Sequence, residues 1–336
     1  MKMLMFDFRE TEKDFFDKNE FVDFDITFIN KPLNEDMELS EEQMNETDII
    51  SVFRSSNLTE NVLNKFKNLR IIATRSYGYG HINLDYCIEH NIAVLNVEQY
   101  GVESVAQYAI ALIIVLIRNM IPAIIDMKNH RINYEHYEGK RLNNLKIGII
   151  GCGKIGTAVA KIAHFFGMKV LIHSYMQNPA LESFCDFVSM DYLLKESDII
   201  SLHLVYTGDN YHLIGEKEFD KMKDGVYFIN TARGELLDIK ALYDNLKKGK
   251  VKAAALDVME CEYLSTHPGE LGHAIKSSDA HCVEAALVTQ KLFNMENVII
   301  TPHIAYNTHD SVNYLLEKTF NNIRDYLKGM NTNRVC

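Results

Sequence analysis

The sequence predicts an α/β protein made of two doubly wound parallel-sheet domains, one inserted into the other. Three observations carry that expectation. Eleven short strand-like runs alternate with helical stretches along almost all of the 336 residues, and such alternation means a parallel sheet with helices on its faces. Several runs, "DIISVF" and "KIGIIG" among them, are nearly apolar throughout, as strands covered on both sides are. The chain is also too long for one ordinary core and suits two domains, or one large one.

In chain order the first group of runs is "KMLMF", "FDITFI", "DIISVF", "RIIATR" and "IAVLNV". The second is "KIGIIG", "KVLIHS", "DIISLHL", "VYFINTA", "KAAALDV" and "NVIITPH". Between the groups, Glu103 to Lys128 keeps apolar residues at helical spacing and reads as one long helix, a connecting element or an interface. After the last run, Ser311 to Met330 places Val312, Leu315, Leu316, Phe320, Ile323 and Leu327 on one stripe. That helix needs a partner, and its most economical place is back on the first sheet. Residues 1–101 and 303–336 are therefore expected to form one domain and 102–302 the other.

Composition bounds the partners. The net charge of −11 is concentrated in residues 1 to 60, which hold 16 Asp and Glu against 6 Lys and Arg. That balance argues against nucleic acid as the main partner, because phosphate binding needs clustered Lys and Arg. The longest apolar run, "YAIALIIVLI" from Tyr108 to Ile117, falls short of the ~20 residues that span a bilayer. No membrane partner is expected, and the chain is assigned to the cytoplasm. Its six cysteines, Cys87, Cys152, Cys185, Cys261, Cys282 and Cys336, form no C-x-x-C pair, so all six are expected to be reduced packing residues. His281-Cys282, with His267 and His273 nearby, matches no structural zinc spacing, and no metal site is assigned.

The stretch "LKIGIIGCGKIGTAVAKIAHFFG" is a strand, then Gly151-Cys152-Gly153-Lys154-Ile155-Gly156, then an apolar-periodic helix. Gly151 permits the tight turn, Gly153 lets the backbone approach a pyrophosphate, and Gly156 lets helix and strand pack closely, with the helix N-terminus facing the anion. In this context the motif marks a Rossmann dinucleotide-binding domain. The fingerprint also expects an acidic residue at the end of the second strand, and Ser174 stands there instead. A 2′-phosphate is then not repelled, yet Tyr175, Met176 and Gln177 supply no Arg to grip one. NAD and NADP both stay open, with NAD the first choice.

Downstream come "FINTARGELLD" with Arg233, "ALDVMECE" with Asp257, Glu260 and Glu262, and a "TPH" corner with His303. Each falls at or just after the C-terminal end of a strand, the edge where ligands bind in a doubly wound sheet. Taken singly, each is more often a surface ion pair or a packed ring. Together they bring a guanidinium, a carboxylate and an imidazole to one crevice.

The order G-x-G-x-x-G, N-T-A-R-G-E, D-V-x-E-x-E and T-P-H resembles the D-isomer-specific 2-hydroxyacid dehydrogenase family. "TPHIAYNTHDSV" and the stretch from Tyr263 to Glu296 are similar to its D-lactate dehydrogenase branch. The resemblance implies a flavodoxin-like substrate domain, discontinuous around the inserted Rossmann domain, and NAD(P)H-dependent reduction of a 2-oxo acid, pyruvate first, with branched or aromatic 2-oxo acids as rivals. It implies that His303 moves the proton, that Glu262 rather than Glu260 orients its ring, and that Arg233 binds the substrate carboxylate. Backbone amides at Tyr77 and Gly78 would hold the same carboxylate, with Phe53, Tyr100 and Tyr306 near the substrate tail. Lys154, Ile155, Ser174, His203, Thr231 and Ala232 are cofactor-side, and Asp257 lies near the nicotinamide. A homodimer is expected, formed through the Glu103–Lys128 helix. Three positions depart from the family's pattern: Asn83 for Asp, Gln107 for Glu, and Val205 for Pro.

Two other readings compete. A nucleotide-sensing corepressor could use the same scaffold, and Tyr243 with Lys247 matches the Y-x-x-x-K pair of short-chain dehydrogenases. Retention of Arg233, Glu262 and His303 favours turnover, and a glycine loop at residue 151 is misplaced for the second.

Overall fold

The computed structural model describes all residues except 19–20, 99, 268 and 270–279. It divides into two compact units, Met1–Gly101 with Asn307–Cys336, and Val102–Tyr306. Residues 303 to 306 group with the second unit.

The first unit is a five-stranded parallel sheet of β1 (Lys2–Met5), β2 (Asp25–Phe28), β3 (Ile49–Val52), β4 (Ile71–Thr74) and β5 (Ala93–Leu95), in the order β2-β1-β3-β4-β5. That is the flavodoxin-like strand order. Adjacent residues of a strand point to opposite faces, so the apolar strands feed two cores. Ile50, Ile72 and Val94 enter one, with Leu58, Val62 and Cys87. Ile49, Ile71 and Leu95 enter the other, with Phe320 and Ile323 of the His309–Leu327 helix. The C-terminal helix thus covers the sheet of the N-terminal segment, and Asn322 Nδ2 donates to the Asn96 carbonyl at 2.8 Å. Leu327, placed on the apolar stripe by spacing, is 42% exposed. Asn83 caps the Leu84–Glu89 helix, its amide oxygen accepting from Tyr86 N at 3.1 Å, which is the task an Asp there would perform.

The second unit is a seven-stranded parallel sheet of β6 (Lys146–Ile150), β7 (Lys169–His173), β8 (Cys185–Phe187), β9 (Ile199–Leu202), β10 (Val226–Asn230), β11 (Val251–Leu256) and β12 (Val298–Ile300). Its order, β12-β11-β10-β9-β6-β7-β8, reverses between β6 and β9, the switch point of a Rossmann sheet. Ile147, Ile149, Val170 and Ile229 pack under the Val102–Ile117 and Lys154–Phe165 helices. Ile150, Leu171, Ile200 and Phe228 pack on the opposite face.

Three expectations are corrected. The helix expected over Glu103 to Lys128 is two helices, Val102–Ile117 and Met120–Lys128, bent by 64°. The break is at Asn119, left-handed at φ 47°, a conformation that ends an α-helical ladder and that Asn tolerates. No single helix among the described residues is long and apolar enough to cross a membrane. Strand β8 went unread because three residues on a sheet edge leave almost no pattern. Finally, Cys261 and Cys282 form a disulfide with Cα atoms 5.3 Å apart. It joins the start of the Glu262–Thr266 helix to that of the Ala280–Phe293 helix, elements whose packing sequence spacing does not reveal.

Phe320 is 1% exposed and packs on Phe21 at 4.3 Å between ring centroids. Phe320→Ala should cost about 3 to 5 kcal/mol in urea denaturation of the intact chain. A loss below about 1 kcal/mol would mean that this helix is not a structural part of the first sheet.

Candidate active site

The second sheet's register puts five strand ends at one level. Ile150 pairs with Leu202, Leu202 with Asn230, Asn230 with Leu256, and Leu256 with Ile300. The residues that leave these strands, Gly151, His203, Thr231, Asp257 and Thr301, therefore form a row. With strands ~4.8 Å apart the row is about 19 Å long.

At the switch point the three glycines fill different needs. Gly151 is left-handed at φ +97°, and a Cβ there would stand 2.6 Å from the His203 carbonyl. A Cβ on Gly156 would overlap the Gly151 carbonyl, whereas one on Gly153 would meet open space. Gly153 also caps the Lys154–Phe165 helix without a side-chain hydrogen bond. The first-turn N–H groups of a twelve-residue helix thus have room for an anion. Exposed Lys154 and half-buried Ile155 lie on that first turn. Ser174 follows the end of β7, its hydroxyl accepting from Met176 N. His203 packs beside the glycine loop, its Nε2 2.8 Å from the Ser201 hydroxyl.

On β10, the fully buried Asn230 forms the turn. Its Oδ1 accepts from Ala232 N at 3.0 Å, and its Nδ2 donates to the Arg233 carbonyl at 2.8 Å. Asn230 stands outside the motif residues singled out by sequence, and an Asn heading a turn is the signal that marks it. The Thr231 hydroxyl is buried with no hydrogen-bond partner, alone in this among the described residues. Such an orphan costs about 1 to 3 kcal/mol, which a bound polar ligand would relieve. The open glycine cradle and this hydroxyl fit a dinucleotide. Arg233 is half-buried and donates through its guanidinium to the Ala232 carbonyl at 2.7 Å.

His303 has φ 53°, a left-handed backbone uncommon outside glycine. Asp257, from the neighbouring strand, holds the loop there. One carboxylate oxygen accepts from the Thr301 hydroxyl (2.6 Å) and Ile304 N (2.9 Å), the other from Ala305 N (2.8 Å). Burial pushes the Asp257 carboxyl above its usual range, and these three donors pull it back. Asp257 is wholly buried, so its leverage on the site runs through the His303 loop.

Both oxygens of Glu262 stand 2.9 Å from His303 Nδ1. An ionised carboxylate only accepts, so Nδ1 carries the proton and Nε2 is left to exchange one. Glu260 is turned elsewhere, toward Tyr211, His212 and His281. Of the other histidines considered for a metal, His267 stacks on Tyr263 and bonds its carbonyl, and His273 lies outside the described residues.

The expected substrate-side residues of the first unit follow β3 to β5. Phe53 is 6% exposed with the Arg9 guanidinium over its ring, and Tyr77 is 43% exposed, its carbonyl held by Asn96 Nδ2. Gly78 accepts the Ser76 hydroxyl, and Tyr100 is half-buried. In the second unit Tyr306 is 6% exposed. Lys247 stands over the face of the Tyr243 ring, a cation–π pair on a covering helix rather than a catalytic couple.

Two stability effects follow. Burial lowers the His203 pKa from 6.5 to about 4, so the folded protein keeps the ring neutral while the unfolded chain protonates it first. Stability is full above pH 6.5 and should fall toward pH 4 by about 1.4 kcal/mol per unit. His81, in the other unit, is lowered likewise. A His203→Gln variant should show a shallower fall in urea midpoint, and an unchanged slope would contradict the assignment. Asp257→Asn turns one acceptor into a donor facing a backbone N–H, and should cost about 1 to 3 kcal/mol by the same denaturation.

Comparison with known proteins agrees with this geometry. Residues 110–305 match the family described as "D-isomer specific 2-hydroxyacid dehydrogenase, NAD binding domain". An aromatic 2-oxoacid reductase of Clostridium sporogenes is 35% identical over 294 residues, 86% of each chain. A D-lactate dehydrogenase of Treponema pallidum is 34% identical over 263 residues, 78% of this chain and 76% of the other. The structure of Aquifex aeolicus D-lactate dehydrogenase, complexed with NAD and lactic acid, superimposes with TM-score 0.82 at 34% identity, covering 99% of this chain and 98% of that one. With a Rossmann switch point, its glycine loop and a carboxylate-bound histidine on one sheet edge, the chain belongs to the D-isomer-specific 2-hydroxyacid dehydrogenases and is an oxidoreductase of that family.

Proposed function

We propose that the protein reduces pyruvate to D-lactate with NADH, reversibly. The observation that carries this reading is the Glu262 carboxylate on His303 Nδ1 at 2.9 Å, which orients the ring and leaves Nε2 to give a proton. When bound, the nicotinamide supplies the hydride to the substrate's carbonyl carbon. His303 gives its Nε2 proton to the carbonyl oxygen, and takes it back in the oxidising direction. Glu262 stabilises the charged ring that precedes transfer. Arg233, two strands away on the same edge, binds the substrate carboxylate through its planar fork. Asn230 and Asp257 are positioning residues that act through the Arg233 turn and the His303 loop. Phe53, Tyr77, Gly78, Tyr100 and Tyr306 enter as substrate-side residues from the family's pattern. NAD is preferred on the strength of the NAD-bound relative and the missing Arg after Ser174.

A second reading, reduction of aromatic 2-oxo acids, is favoured by the likeness to the Clostridium sporogenes reductase. One methylene is worth only about 1 to 3 kcal/mol of discrimination, so several substrates can share the site. We also propose a homodimer. Met120, Ile121, Ile124, Ile125 and Met127 of the Met120–Lys128 helix are 38 to 60% exposed, an apolar face suited to a second copy.

Loss of reduced-nicotinamide absorbance, followed with NADH and NADPH across pyruvate, 2-oxoisocaproate, phenylpyruvate and hydroxypyruvate, tests the substrate reading. The highest kcat/KM is expected with NADH and pyruvate, and a highest value with phenylpyruvate would move the assignment to the second reading. His303→Ala should lower kcat about 10²- to 10⁴-fold, Arg233→Lys should raise KM, and Lys247→Ala should leave both unchanged. Tight NAD(H) binding without turnover of any 2-oxo acid would end the catalytic proposal. A single-chain mass in light scattering at micromolar concentration would remove the dimer.

A further inference from the structure

Beside the catalytic edge lies a cluster that the reaction does not use. His212 Nε2 is 3.1 Å from one oxygen of Glu260, and His281 Nε2 is 2.8 Å from the other. The three donor groups lie within 4.8 Å of one another. They come from separate elements: the connection between β9 and the Glu216–Lys221 helix, the loop after β11, and the first turn of the Ala280–Phe293 helix. We propose that His212, Glu260 and His281 form a binding site for a divalent transition-metal ion of the zinc class.

The donor set suits such an ion. Two imidazoles with one carboxylate favour zinc and its neighbours over magnesium or calcium, which prefer all-oxygen shells. Bonds of ~2.0 to 2.2 Å in a tetrahedron put ligand atoms about 3.3 Å apart. The two histidine–carboxylate separations, 3.1 and 2.8 Å, need to open by only a few tenths of an ångström. Charge points the same way. The Glu260 side chain is 5% exposed, and among the described residues its ion-pair partners are the two histidines, with no Lys or Arg. A buried carboxylate needs compensation, which a dication provides.

The ligands are also fixed from behind. The Glu260 carbonyl accepts from the Ser265 hydroxyl at 3.0 Å, and a Cβ on Gly234 would overlap the Met259–Glu260 backbone. The His212 ring stacks on Tyr211 at 3.9 Å, and its backbone N–H donates to the Glu235 carbonyl at 2.8 Å. His281 adjoins Cys282, whose disulfide ends at Cys261, the neighbour of Glu260. The Tyr211 hydroxyl, 2.7 Å from Glu260, supplies the outer hydrogen bond that orients a ligating carboxylate. The His281 side chain is 52% exposed, which leaves an entry path and room for water as fourth ligand. An ion here would fasten the loop that carries Glu262, and the proposal is independent of which 2-oxo acid is the substrate.

The test titrates the full chain, stripped of metal with a chelator that is then removed, with zinc and separately with cobalt. One zinc per chain is expected, bound about tenfold or more weakly by His212→Gln and by His281→Gln, each checked for parental circular dichroism. Cobalt should give the visible absorption of a tetrahedral complex in the parent and lose it in both variants. Equal zinc affinity in the parent and both variants would overturn the site, as would uptake of less than one equivalent by the parent. A Cys261→Ser/Cys282→Ser chain that loses zinc while the histidine variants keep it would also overturn it, by assigning the ion to thiolates. Should a variant fail to fold, the parent's cobalt spectrum decides, since an intense sulfur-to-cobalt charge-transfer band is incompatible with an all-nitrogen-and-oxygen shell.

Discussion

The Asp257 carboxylate governs the shape of the His303 loop. It is fully buried and accepts from Thr301, Ile304 and Ala305. A buried carboxylate is tolerated only when its oxygens are engaged, and here the donors are the hydroxyl and backbone N–H groups of the loop that bears His303. That exchange explains how a histidine keeps a left-handed backbone at φ 53°. Strain of about 1 to 3 kcal/mol persists where the surroundings over-determine it. The strand supplies the acid, the next strand supplies the donors, and the ring is presented at the junction.

A loop so held still needs its imidazole ring aimed. Glu262 does this from a five-residue helix that begins just after Cys261, itself left-handed. The helix is too short to be stable alone. Its position comes from the Cys261–Cys282 link and from Glu260, whose carboxylate is anchored to Tyr211, His212 and His281. The two glutamates of one motif thus face different partners, Glu262 the His303 ring and Glu260 the Tyr211, His212 and His281 side chains.

The sheet makes this economical. Because Ile150, Leu202, Asn230, Leu256 and Ile300 are register partners, groups far apart in sequence leave the strands side by side. The same edge holds the glycine cradle and the unsatisfied Thr231 hydroxyl. The glycine loop, the Arg233 turn and the His303 loop are then positioned by one set of backbone hydrogen bonds.

Much of this is local and so was legible in the chain. Alternating strand and helix patterns, the spacing Gly151-Gly153-Gly156, and the motifs around Arg233, Glu262 and His303 are short-range signals, each set by what a turn or a strand end requires. What only the tertiary structure decided involves partners with no fixed spacing. Asp257 meets Thr301 across 44 positions, and Cys261 meets Cys282 across 21. His212 and His281 converge on Glu260 from opposite sides in sequence. The bend at Asn119 is of the same kind, since apolar periodicity continues through it while one residue's backbone turns left-handed. Local pattern encodes which element a residue joins. Packing of elements, which depends on the summed contacts of the whole sheet, determines which side chains then face each other.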